Sequence, residues 1–226
     1  MKRIFYFLSI FFLISCGNST NSPEFIKKAE GRYLFNSNET LEIYFEEDIL
    51  KVKWRGEDMT PIKANDSSFY LKEMNEKLVF ISSPETRIEL ATKREHDGKK
   101  FVFSKLSLNE RTPLEYFNNK EYEKATQAYL EVQKRDSLDR AINWREINRS
   151  AHNFFRNGKN EKALELFKIN IALYPGKPDV YRNYGYALLV IKDTVNAKLN
   201  YRKALSINPD DQRALAFFER FKKKDE

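Results

Sequence analysis

Residues 144–175 read WREINRSAHNFFRNGKNEKALELFKINIALYP, and residues 178–209 read PDVYRNYGYALLVIKDTVNAKLNYRKALSINP. Laid over one another at a shift of 34 residues, Ile147, Ser150, Ala151, Phe154, Gly158, Ala163, Phe167 and Pro175 fall on Tyr181, Tyr184, Gly185, Leu188, Lys192, Ala197, Tyr201 and Pro209. Small residues recur where two helices would touch, at Ala151, Gly185, Ala163 and Ala197. Aromatic and aliphatic residues recur beside them, and a proline follows the second helix of each pair. Ala204 fills the other small position, whereas its equivalent one repeat earlier is Asn170, which predicts looser packing there. A weaker unit comes before, with Ala125, Tyr129 and Val132 on its second helix. Pro113 and Asn118-Asn119 leave room for only a brief first helix, and about four extra residues separate this unit from the next. Residues 211–223 predict a helix that covers the last apolar face.

That period and those residue types resemble the tetratricopeptide repeat, over about 109–137, 144–175 and 178–209 with a cap at 211–223. The resemblance implies that the first helix of each pair lines a concave groove. On the first helix of the middle repeat, Arg145, Asn148, Arg149, His152 and Arg156 share one face, while Ile147, Ala151 and Phe154 take the packing face. On the same resemblance Arg182 and Asn183 of the next repeat point into the groove. Guanidinium forks and amides grip carboxylates through paired, charge-assisted hydrogen bonds. The set resembles the carboxylate clamp of tetratricopeptide co-chaperones in residue type but not in order. It implies an acidic or C-terminal peptide as ligand, against the alternative of a basic, solvated helix face.

The first half follows a different rhythm. Apolar residues alternate at Leu41, Ile43 and Phe45, at Leu50, Val52 and Trp54, at Phe69 and Leu71, at Ile88 and Leu90, and at Phe101 and Phe103. Breaks at 36–38, 46–48, 55–58, 65–67, 82–84 and 97–98 divide them. Period-two alternation between turn signals predicts half-buried antiparallel strands in a meander of six to eight strands, from about Phe25 to Leu108. The expected fold class is thus α+β in two modules: a small antiparallel β-barrel or sandwich, then an all-α array of helical hairpins. Gly31-Arg32-Tyr33, Leu41-x-Ile43-x-Phe45, Leu50-x-Val52-x-Trp54, 65–70 (NDSSFY) and Leu78-Val79-Phe80 resemble the small β-domain that follows the catalytic domain of penicillin-binding-protein-like serine hydrolases. That resemblance implies a lipocalin-like barrel. The Ser-x-x-Lys of those enzymes occurs nowhere in the chain, so it implies a fold without the activity.

The N-terminus carries an address. Lys2 and Arg3 precede an apolar run from Ile4 to Ile14, and Leu13-Ile14-Ser15-Cys16 resembles the bacterial lipobox. The reading is a signal peptide over 1–15, lipid on Cys16, and a flexible tether over 16–24. This places the protein in the cell envelope, held to a membrane but outside the cytoplasm. Cys16 is the only cysteine, so the lipidated chain forms no disulfide, and stability falls to core packing.

Charge and motifs limit the chemistry. The net charge of +7 sits in the second half: residues 24–108 carry 15 basic and 16 acidic side chains, residues 109–226 carry 23 and 17. For an exported protein this favours acidic peptides or anionic membrane surfaces over nucleic acid as partners, and a merely solvated lysine-rich exterior over either. Seven glycines supply no phosphate loop, and the two histidines, His96 and His152, fall in different modules with no metal-ligand spacing. Glu46-Glu47-Asp48 reads as a solvated turn between strands. The sequence therefore predicts no catalytic residues, metal or cofactor, and a membrane-anchored scaffold for a protein partner. The alternatives are a non-catalytic accessory subunit of a serine-hydrolase system and a barrel that carries a small apolar ligand.

Overall fold

The computed structural model describes residues 20–225. The signal-peptide segment, Cys16 and the first residues of the expected tether, up to 19, lie outside these. The chain divides into two compact units. One holds Leu41–Leu108 with the described segment up to Tyr33, and the other holds Asn109 onward with Leu34–Thr40.

The β unit begins earlier than the polar stretch before Phe25 suggests. Helix α1 (Pro23–Ala29) starts where Ser22 Oγ accepts the Phe25 N–H at 3.2 Å, with Pro23 at its first position and Glu24 in its first turn. Asn21 is buried, and its Nδ2 donates to the Asp48 carbonyl at 2.8 Å. Residues 21–24, expected as part of a tether, are therefore capping structure. Phe25 carries α1 into the core, its ring 5.6 Å from Phe69 and 5.3 Å from Phe80.

Nine strands follow, one more than the upper expectation: β1 (Gly31–Asn36), β2 (Glu39–Glu46), β3 (Ile49–Trp54), β4 (Glu57–Met59), β5 (Ile62–Asn65), β6 (Ser68–Leu71), β7 (Glu76–Ile81), β8 (Arg87–Leu90) and β9 (Val102–Ser104). They form two antiparallel sheets, ordered β1-β2-β3-β4 and β5-β6-β7-β8-β9. The alternation works as period two requires: Ile43 pairs with Val52, Phe69 with Leu78, and Phe80 with Ile88, which in turn pairs with Phe103. All seven of these residues are buried. Two-residue turns at Glu47-Asp48 and Arg55-Gly56 have positive φ at both positions, the twist-matched hairpin geometry. Tyr33 bridges Lys105, and the Leu106 N–H donates to the Arg32 carbonyl at 2.8 Å, so the outer edges of the two sheets meet. Phe101, expected as a strand core residue, lies just before β9, is 40% exposed, and packs its ring against His96. His96 is buried against Glu76 at 3.0 Å, not in an open charged turn. The interior that an apolar ligand would need is taken by Phe25, Tyr33, Phe69 and Phe80.

The second unit is an array of antiparallel helix pairs: α2 (Pro113–Asn118) with α3 (Tyr122–Arg135), α4 (Trp144–Arg156) with α5 (Asn160–Leu173), and α6 (Pro178–Val190) with α7 (Thr194–Ile207). Helix α8 (Gln212–Asp225) closes it. As expected, α2 is short. It is nonetheless well started, because Thr112 and Glu115 form a reciprocal capping box. Part of the spacer between the first two repeats is a 3-10 turn, Arg140–Ile142, whose Ile142 is fully buried. Each pair turns through a left-handed residue at the same place, Lys120, Gly158 and Lys192. In each, the following N–H closes a wide turn onto the carbonyl of Tyr116, Phe154 and Leu188 respectively.

Ala151, Ala163 and Ala197 are fully buried, and a Cβ on Gly185 would stand 3.3 Å from the Ala197 carbonyl oxygen. The predicted loose spot at Asn170 is not loose: the residue is 1% exposed, and its Nδ2 donates to the Trp144 carbonyl at 3.0 Å. An amide replaces a methyl there because the start of α4 offers it an acceptor. Within this unit Ser37, also buried, accepts from Arg135 at 3.0 Å and donates to Asp139.

Candidate functional site

The first helices of the second and third repeats, α4 and α6, enclose a cleft of about 580 Å³. It starts with Asn143, whose Oδ1 accepts the N–H groups of Arg145 and Glu146 and so sets the rotation of α4. With Ile147 and Ala151 anchored in the core, the opposite side of α4 presents Arg145, Asn148, Arg149, His152 and Arg156 to the cleft. From α6 come Tyr186 and Val190, both about half exposed.

These side chains are poised in different ways. Arg145 lies over the Trp144 ring at 4.7 Å, with Lys177 over the same ring at 4.9 Å, a packing that restrains the guanidinium without neutralising it. Arg149 pairs with Glu146 at 2.7 Å, but both side chains are more than half exposed. Such a pair contributes on the order of 0–1 kcal/mol and gives way to a better anion. Arg145 and Arg156 make no ion pair among the described residues. The Asn148 side chain also lines the cleft, and its Oδ1 is buried and lacks a hydrogen-bond partner among the described residues. His152 sits edge-on to Phe167 at 5.1 Å and near Tyr186 at 6.3 Å. Burial, and secondarily the charge of Arg156, holds its pKa below the usual histidine value.

The third repeat departs from the expected site. Arg182 is only 12% exposed: its guanidinium is shared between Asp179 at 2.5 Å and Asp211, so it ties α6 to the start of α8 and does not line the cleft. Asn183, half-buried, is not among the cleft's lining residues either. Tyr186 is what α6 contributes, and it had a signal in the sequence: one repeat length after His152 comes Tyr186, and one after Arg156 comes Val190. Phe155, which also lines the cleft, had been hidden by a reading confined to polar residues.

Chemically, the arrangement sets three guanidinium groups and a histidine beside an apolar and aromatic floor. Among the described residues no group of three or more His, Cys, Asp or Glu side chains could hold a metal ion, and no helix is long and apolar enough to cross a membrane.

No family model matches the chain. The protein adenylyltransferase Fic of Nematostella vectensis is 42% identical over 59 residues, 26% of this chain but only 14% of that protein. Solved structures similar to the chain include the first TPR domain of Spaghetti (RPAP3) bound to the HSP90 peptide SRMEEVD, at 20% identity and a TM-score of 0.34 over 50% of this chain and 86% of that one. The first TPR domain of human RPAP3 is 21% identical at a TM-score of 0.34, over 49% and 84%. The TPR domain of Arabidopsis OM64 is 19% identical at the same score, over 50% and 89%. The class defined by the fold is two antiparallel sheets followed by a tetratricopeptide-like helical array.

Proposed function

We propose that the protein is a non-catalytic scaffold, anchored to a membrane by lipid on Cys16 outside the cytoplasm, whose helical unit holds an acidic peptide of a partner protein between α4 and α6. The observation that carries the groove is the α4 face: three arginines, an asparagine and a histidine line one cleft beside Tyr186. The arginines attract carboxylates, and the Asn148 amide beside them orients the chain. Tyr186 and Val190 shield these contacts from water. The anchor rests on the sequence alone, on Lys2 and Arg3, the apolar run and the lipobox-like Leu13–Cys16 segment.

Titration of the chain with a fluorescent Glu/Asp-rich peptide tests the groove. Arg149→Lys keeps the charge but loses the fork, so affinity should drop roughly tenfold, about 1.4 kcal/mol. Lys99→Glu, an exposed charge reversal in the β unit, should leave it nearly unchanged. Equal losses at the two positions, or equal binding of a polyphosphate chain, would show that bulk charge alone attracts the peptide and would end the groove reading.

A further inference from the structure

The α4–α6 cleft has a neighbour. On the other side of α6, Tyr186, Leu189, Tyr201, Arg213, Phe217 and Arg220 border a second cleft of about 410 Å³. Tyr186 borders both. Arg213 and Arg220 stand seven residues apart on α8, two helical turns, and so project from the same face. Both are exposed, and neither makes an ion pair among the described residues. Below them Phe217 stacks on Tyr201, centroids 3.9 Å apart and planes 7° apart, which gives the second cleft an aromatic floor. The guanidinium of Arg182, the one cation of α6's first turns, is occupied by Asp179 and Asp211. The middle of the surface is therefore aromatic and apolar, and its two ends are cationic.

We propose that α4, α6 and α8 together bind one extended peptide whose acidic residues flank an apolar side chain. One acidic stretch lies at Arg145, Arg149 and Arg156, the apolar side chain rests on Tyr186, and the second acidic stretch lies at Arg213 and Arg220. This rests on the peptide-groove reading above and adds the second cleft and the order of residues in the ligand. Charge complementarity selects the occupant: free guanidinium groups at both ends match carboxylates, and a half-exposed tyrosine between them matches an apolar group. Joining two weak contacts through one chain makes the second intramolecular, so the long ligand gains affinity that neither half has alone.

The test uses the whole chain and three synthetic peptides: Glu-Asp-Glu-Phe-Glu-Asp-Glu, the same peptide with Ser for Phe, and Glu-Asp-Glu alone. The proteins are wild type, the double variant Arg145→Gln/Arg149→Gln, the double variant Arg213→Gln/Arg220→Gln, and Lys99→Glu. All the substituted side chains are exposed, so the fold survives, as circular dichroism would verify. Each arginine double variant should weaken the long peptide by roughly tenfold, and Ser for Phe should weaken it several-fold. The short peptide should bind far more weakly than the long one. Wild-type affinity for the long peptide in Arg213→Gln/Arg220→Gln, beside a loss in Arg145→Gln/Arg149→Gln, overturns the two-cleft inference and leaves the α4 groove standing. Indifference to Ser for Phe removes the role of Tyr186 and overturns the inference in the same way. Failure of every peptide to bind the wild type, or an equal loss in Lys99→Glu, overturns both readings.

Discussion

Gly185 shows how far one atom can decide helix spacing. An added Cβ would lie 3.0 Å from Tyr201 Cδ2 and 3.3 Å from the Ala197 carbonyl oxygen, and the second of these is backbone that cannot swing away. We expect Gly185→Leu to destabilise the helical unit by about 3 kcal/mol, read as a lower midpoint in urea, while Gly185→Ala costs less. A leucine variant with an unchanged midpoint would contradict the packing described here. His152 yields a second expectation. Burial keeps its folded pKa below the unfolded value of about 6.5, so as pH falls through that value the unfolded chain takes up the proton first. The stabilisation is complete above the unfolded pKa and is lost as pH falls toward the folded one; His152→Gln should flatten that slope in a thermal melt. Protonation also adds a positive charge to the cleft, so an acidic peptide should bind more tightly over the same range in which the free protein weakens. The small residues at helix contacts were readable because the repeat shift lines them up. The role of Arg182 was not, because its partner Asp211 is 29 positions away, outside any single helix face.

Among the elements, α8 depends on one side chain. Asp211 Oδ1 accepts the N–H groups of Arg213 and Ala214, both at 3.1 Å, while Oδ2 accepts from Arg182. Replacement by alanine removes an N-cap and leaves a mostly buried guanidinium with one carboxylate instead of two. Asp211→Ala should therefore cost about 2 kcal/mol and selectively reduce helical signal, whereas Asp211→Asn should keep much of the cap. The strands divide by length in how legible they were. β2 and β3 are long enough to show alternation at three positions each, β6 and β8 at two, and turns between strands announce themselves through Asp, Gly and Asn. β4 has three residues and one buried side chain, Met59, which leaves no period to detect. Helix α1 was missed for another reason: its start signals, Ser22 and Pro23, are the same residue types that mark a loop.

At the scale of the molecule, the change from period two to helical period made the two-module architecture legible, since burying one face imposes a different repeat on each kind of element. The grouping of Leu34–Thr40 with the helices was not legible, because it rests on Ser37 meeting partners 98 and 102 positions away. The anchor makes a whole-molecule prediction. Cys16→Ser should shift the protein from the detergent-rich to the aqueous phase on partition of cell extracts, or leave an uncleaved precursor. A mutant that still partitions like wild type would end the lipid assignment.

In a linear array each repeat is supported by its neighbours. α8 packs on the array through the Tyr201–Phe217 stack and the Arg182–Asp211 contact, and its local opening is read in its amide exchange. It also carries Arg213 and Arg220. A ligand gripping both ends of the surface would then act as a latch on α8, and occupancy of the groove would be recorded as slowed exchange along that helix.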